Sequence, residues 1–288
     1  MKLPPHVEQE AIVLDDVRVL YVPIPKAGST AVLWSLVDHV ELEPGAFARS
    51  TKLEMTRALT IHDPAIWGRA HRLEGRAPEA RRIFDAPDWL AFTVVRDPVQ
   101  RLWSAWVSKV LVRDPRFVAF YGSAPWFPEP PQTAEEVVRA FREFVAALAD
   151  RPVEWDDPHW SSQAELAGVD QLGYDLVARV EGLPGELDAV GRHLRRYGRD
   201  DLRLRRENPS LLTFTSGLLD TETWDCCATL TARDRMAFGY EMPERGTGSP
   251  SGEWLAGVEL RLPGIHAVVE RNERIGDLKR LLPRKRAS

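Results

Sequence analysis

Val17–Thr30 reads VRVLYVPIPKAGST. Val17, Val19, Leu20, Tyr21 and Val22 form a short apolar run rich in β-branched and aromatic residues, which predicts a buried strand. Pro23 and Pro25 end it, because proline cannot donate to a sheet ladder. Lys26, Ala27, Gly28, Ser29 and Thr30 make a tight turn, and residues 31–40 continue as an apolar segment of helical character. A glycine-containing turn at a helix start gathers backbone N–H groups at the positive end of the helix dipole, an anion site suited to phosphate. Lys26 adds a mobile positive charge, and Ser29 and Thr30 add hydroxyl donors. The order is not that of a Walker A loop, in which lysine follows the second glycine. Here lysine precedes the glycine, and an ordinary strand–turn–helix connection with a surface lysine would share this outline.

A second stretch, Phe92–Trp106, reads FTVVRDPVQRLWSAW. Its apolar start predicts a strand over 89–95, with Arg96 at the strand's end. Asp97 is a favoured N-cap and Pro98 a favoured first helical residue, so a helix should begin here. Val99, Leu102, Trp103, Trp106 and Val110 recur at helical spacing and should face a core. A guanidinium fork at Arg96 and a hydroxyl at Ser104, two turns along, suit a terminal phosphate. A salt bridge for Arg96 and a packing role for Ser104 are the plainer alternatives.

The P-K-x-G-S-T turn resembles the 5′-phosphosulfate loop of sulfotransferases that use 3′-phosphoadenosine 5′-phosphosulfate (PAPS). R-D-P followed by R-L-x-S-A resembles their 3′-phosphate element. His159-Trp160-x-x-Gln163, Tyr174-Asp175 to Glu181, Asn208-Pro209 and Phe238-Gly239-Tyr240 are similar to landmarks of the carbohydrate group (Golgi-type, sulfotransferase family 2), so the resemblance covers about 17–240. It implies an α/β, P-loop-like three-layer fold with a central, mostly parallel sheet flanked by helices. It also implies in-line sulfuryl transfer from PAPS to a hydroxyl of a glycan, glycolipid or small metabolite, with 3′-phosphoadenosine 5′-phosphate (PAP) as product. By the same resemblance Lys26 is catalytic and binds cofactor with Ala27, Gly28, Ser29 and Thr30, while Arg96 and Ser104 hold the 3′-phosphate. A general base must take the acceptor's proton. His62, His71 and His159 are candidates, with Glu54 as a carboxylate alternative. His62 is preferred because it ends a short strand-like run, lies between the two phosphate elements, and ligands gather at strand carboxyl ends.

Two other classes compete. A P-loop-type nucleotide kinase would need a lysine after the glycine and a magnesium-binding acid after a strand, for which Asp97 is the candidate. A non-catalytic phosphonucleotide-binding module would bind cofactor without turnover. No run of residues has the ligand spacing of a zinc site, so no metal is expected.

Composition limits the rest. The 288 residues are 44% hydrophobic, enough for a sizeable core, and the expected organisation is one domain over 1–288, with 241–288 a loop and a C-terminal helix. A net charge of −5 argues against a general nucleic-acid binder. Arginines at 195–206 and basic residues at 279–286 nevertheless cluster, as solvated faces commonly do. The only cysteines, Cys226 and Cys227, are adjacent and make no disulfide framework. The N-terminus lacks the apolar stretch of a signal peptide, and no apolar run reaches membrane-spanning length, so a cytoplasmic protein is expected.

Along the chain, further strands are expected at 11–14 and 174–180, and a polar segment, exposed or substrate-facing, at 68–82. Proline-rich 114–132 reads as a loop or lid. Thr133 and Glu136 form a capping box for a helix to about 149. Shorter helices are expected up to Gly168, over 184–197 with Gly198 as stop, and from Thr231 with Asp234 to about Tyr240. Of ten tryptophans, Trp67, Trp126, Trp155 and Trp160 lie in loop-like contexts where they could stack on a sugar, whereas Trp34, Trp103 and Trp106 should fill the core.

Overall fold

The computed structural model describes residues 2–40, 42, 46–49, 56–73, 82–150, 157–205 and 210–281. Residues 43–45, Ser50, Thr51, Glu54, Trp155, Asn208-Pro209, residues 74–81 and the basic residues Arg206, Arg284, Lys285 and Arg286 lie outside the described residues. Two compact units form: Met1–Arg101, Asp156–Pro209 and Arg233–Tyr240 make the first, and Leu102–Trp155, Ser210–Ala232 and Glu241–Ser288 the second.

The first unit holds a four-stranded sheet in the order β1 (Ile12–Leu14), β2 (Val19–Val22), β3 (Leu90–Val95), β4 (Leu176–Arg179). β1 runs antiparallel to β2, while β2, β3 and β4 are parallel, in register at Val22↔Thr93 and Val95↔Arg179. The period-two alternation of a strand sorts the apolar side chains into two cores. Val19, Tyr21, Phe92 and Val94 join Leu33, Leu36, Val190 and Leu194 on one face. Leu20, Val22 and Ala91 join Val7, Ile83 and Leu166 on the other. Burial on both faces is what a parallel sheet covered by helices requires. The sheet is therefore the central layer of the expected α/β arrangement.

The local expectations mostly hold. Ser29–Val37 is the helix after the glycine turn, and Pro98–Trp106 the helix after R-D-P. Arg18, at φ 51°, follows a short 3-10 turn over Asp15–Val17, so β2 starts two residues later than its apolar run. In the first unit four expectations are corrected. Residues 57–62 are a 3-10 helix, not a strand-like run. The span 184–197 divides at Leu187 into Leu183–Glu186 and Asp188–Arg195. Trp67 is 3% exposed and donates to the Ile61 carbonyl at 2.8 Å, so its ring is core and not a sugar platform. Within 68–82, Arg72 and Leu73 are buried, with Arg72 bridged to Ile12 at the sheet edge.

The second unit is helical among its described residues. Ala134–Asp150 is capped at Thr133, whose hydroxyl accepts from the Glu136 N–H at 3.2 Å. Trp103, Trp106 and Phe141 form an aromatic cluster with centroids 4.9–5.4 Å apart. Pro115–Tyr121 is a helix capped by Asp114, which corrects the reading of 114–132 as wholly loop. Asp114 and Pro115 are the cap and first residue that start it. Thr221–Leu230, capped by Asp220, is a helix that went unanticipated. It carries both cysteines as free thiols. Burial pushes Cys227 up to about 12, while Cys226 is only partly covered. A thiol reagent at neutral pH should therefore titrate one cysteine in the native protein and the second only on unfolding. Equal rates for both would contradict this packing.

Candidate functional site

Beyond the carboxyl ends of the parallel strands β2, β3 and β4 come the polar residues Lys26, Arg96 and Glu181, four, one and two positions past the last strand residue. All three belong to the first unit.

The loop after β2 is held by its carbonyls. Thr93 Oγ1, wholly buried in β3, donates to the Val22 carbonyl at 2.8 Å. His6 Nε2 lies 2.9 Å from the Pro23 carbonyl. A carbonyl can only accept, so Nε2 carries the proton, and burial keeps this imidazole below its ordinary pKa. The Ala27 N–H donates to the Ile24 carbonyl at 3.2 Å, Arg101 Nε to Pro25 at 2.8 Å and Arg96 Nη1 to Lys26 at 3.4 Å. Five successive carbonyls thus have donors from within the fold, and the two prolines contribute no N–H. Lys26 (φ 67°) and Gly28 (φ 72°) both adopt left-handed backbone. At Gly28 a Cβ would also sit 3.4 Å from Val180 Cγ2. This left-handed pair turns the chain into the Ser29–Val37 helix, whose first N–H groups, from Ser29 and Thr30, have no intrahelical acceptor. The loop's acceptors are thus consumed inside the fold, and the first N–H groups of the helix remain, the chemistry of an anion-binding turn.

Arg96 is fixed by its peptide group. Gln163, wholly buried, accepts the Arg96 N–H with Oε1 at 3.0 Å and donates to the Arg96 carbonyl from Nε2 at 2.8 Å. Asp234, also buried, accepts from Ser162 Oγ (2.6 Å), the Gln163 N–H (2.9 Å) and the Ala164 N–H (3.0 Å). Asp234 therefore caps the Gln163–Ala167 segment rather than starting its own helix, Ala232–Phe238. Arg101, 2% exposed, adds Pro158 (2.7 Å) and Ser161 (2.8 Å) carbonyls to its bond with Pro25. Burial pulls this guanidinium down to about 10, opposed by Asp234 and Asp157, so it remains charged at neutral pH.

Glu181 accepts the Asp97 N–H at 2.8 Å and the Tyr240 hydroxyl at 2.9 Å. Burial first, then Glu181, raises the Tyr240 pKa, so the phenol stays a donor. Arg179 stacks 4.7 Å from the Tyr240 ring centroid and donates to the Phe238 carbonyl. Asp97 Oδ1 accepts the Gln100 N–H at 2.8 Å, the capping role its sequence position predicts, and burial raises its pKa. Ser104 is buried on the part of the Pro98–Trp106 helix that belongs to the second unit.

The three histidines separate clearly. His62 Nε2 is 2.8 Å from Thr30 Oγ1, so the structure brings it to the glycine turn even though it ends a 3-10 helix and not a strand. His71 Nδ1 bonds the Val13 carbonyl at 3.2 Å, on edge strand β1. His159 Nδ1 lies 2.7 Å from Asp157 Oδ1, a buried carboxylate. Sequence reasoning placed Lys26, Arg96 and His62 in the site but assigned no part to His6, Arg101 or Asp234. Arg101 and Gln163 stood inside quoted motifs, yet nothing local distinguishes a buried strut from a surface side chain.

The sequence model of the Sulfotransferase family matches residues 9–212. That span contains the strands, the glycine turn, His62, Arg96 and Gln163. No curated protein and no solved structure matches the chain.

Proposed function

The chain belongs to the sulfotransferase family, and from that premise we propose that it transfers a sulfuryl group from PAPS to a hydroxyl of a glycan, glycolipid or small metabolite. The observation that carries this reading is the Pro23–Thr30 loop, with its carbonyls turned to donors inside the fold and Arg96 and His62 both bonded to it.

When bound, PAPS supplies an activated sulfuryl group joined through a bridging oxygen to the 5′-phosphate. The chain's residues do the rest. The Ser29 and Thr30 N–H groups and hydroxyls hold the phosphosulfate, and Lys26 stabilises negative charge on the bridging oxygen as the sulfur–oxygen bond breaks. Arg96 holds the 3′-phosphate, its forked guanidinium suited to a dianion. His62 takes the proton of the acceptor hydroxyl as its oxygen forms the new bond to sulfur. Thr30 keeps Nε2 of His62 oriented until the acceptor hydroxyl replaces that contact. A cytoplasmic location fits the two free thiols.

Calorimetric titration with PAP and with 5′-AMP tests the reading. Wild type is expected to bind PAP roughly 10- to 100-fold more tightly, the worth of charge-assisted bonds to one phosphate. Arg96→Ala should remove most of that preference. Equal binding of both ligands by wild type, especially with magnesium dependence, would overturn the reading in favour of a nucleotide kinase.

A further inference from the structure

We propose that Gln163 is a positioning residue for Arg96, and through it a determinant of 3′-phosphate selectivity. The inference rests on the reading of Arg96 as the 3′-phosphate holder and extends it to a side chain that would not touch the nucleotide.

The argument starts from where the sheet stops. β2 ends at Val22, opposite Thr93, and the last rung between β3 and β4 is Val95↔Arg179. Arg96 is the first residue beyond the ladder, and its N–H and C=O have no strand partner there. A backbone N–H and C=O left unpaired in a half-buried setting would let the residue swing, and the guanidinium with it. The Gln163 amide supplies the missing rung. It accepts the N–H at 3.0 Å and donates to the C=O at 2.8 Å, the reciprocal pair that an antiparallel neighbour would offer.

Gln163 is itself immobilised. Its own N–H and Nε2 both reach Asp234 Oδ2, at 2.9 and 3.3 Å, and it is wholly buried. A buried amide with every donor and acceptor engaged is rigid, so the base of the Arg96 side chain is fixed before a ligand arrives. Pre-organisation of this kind lowers the entropy lost when the fork closes on a phosphate.

The test measures PAP and 5′-AMP affinity for wild type, Gln163→Met, Arg96→Ala and the double variant. Gln163→Met preserves volume and removes both hydrogen bonds. The PAP-over-AMP ratio should fall about tenfold with AMP affinity unchanged, and Gln163→Met should add nothing further in the Arg96→Ala background. A merely structural role would weaken both ligands together or add independently to Arg96→Ala, and either result overturns the proposal, as does an unchanged ratio. Should Gln163→Met fail to fold, Gln163→Asn withdraws the amide by one methylene while staying polar, and the same ratio is read. Wild type showing no preference for PAP would overturn this proposal together with the reading beneath it. A preference that survives both Gln163 variants would overturn this proposal alone.

Discussion

Arg101→Leu lowers stability by about 3–5 kcal/mol, the expected result of removing a buried charge that satisfies three carbonyls. The leucine fills part of the volume, but the carbonyls of Pro25, Pro158 and Ser161 lose their donors in a site where water has little access. Each such group costs about 1–3 kcal/mol when unpaired. The carboxylates Asp234 and Asp157, which now feel the guanidinium's charge, lose it as well. Urea denaturation followed by tryptophan fluorescence measures the change, as a fall in the midpoint. Arg101→Lys restores the charge with one ammonium in place of a fork, so it should recover only part of the loss. A stability loss under about 1 kcal/mol for Arg101→Leu would show that these carbonyls find other partners, and the strut would then have no energetic weight.

His62→Asn is expected to slow sulfuryl transfer by roughly 10²- to 10⁴-fold, the range for loss of a positioned general base. Asparagine can still offer a hydrogen bond toward Thr30, so the turn should keep its shape and PAP affinity should stay within about twofold. The separation of the two readouts carries the argument. Loss of transfer with retained PAP binding assigns proton transfer to His62. Loss of both would make His62 a structural partner of Thr30 only. Full activity would move the base to another group, with His159 and its Asp157 partner the next to examine.

The local structure of both candidate phosphate-binding stretches was legible in the sequence because its determinants are local. A strand, two prolines, a glycine and a helix start all fall within Val17–Thr30, and R-D-P sets a cap and a first helical residue within three positions. His62 was chosen partly for a wrong reason. Residues 58–62 are apolar enough to suggest a strand, but they run on from Thr56 as a 3-10 helix, which short apolar runs do not distinguish. The long-range struts had no signal of their own. Arg101 sits 76 positions from Pro25, Gln163 67 from Arg96 and Asp234 71 from Gln163. Helical periodicity assigned Arg101 to no face, and Asp234 beside Thr231 reads as an ordinary cap until the chain is folded. Trp67 was misjudged because a loop-like context in sequence says nothing of the strand and helices that cover it.

The carbonyl accounting of the Pro23–Thr30 loop bears on engineering. The loop's conformation is encoded largely outside it, in Thr93, His6, Arg101 and Arg96. A PIPKAGST cassette moved into another scaffold would carry the glycine and the lysine but none of those four donors, and its carbonyls would lose the partners that hold them here. A transplant of the loop in this conformation must therefore move residues scattered in sequence: Thr93 in β3, Arg96 just beyond it, Arg101 on the Pro98–Trp106 helix and His6 on the Pro5–Glu10 helix.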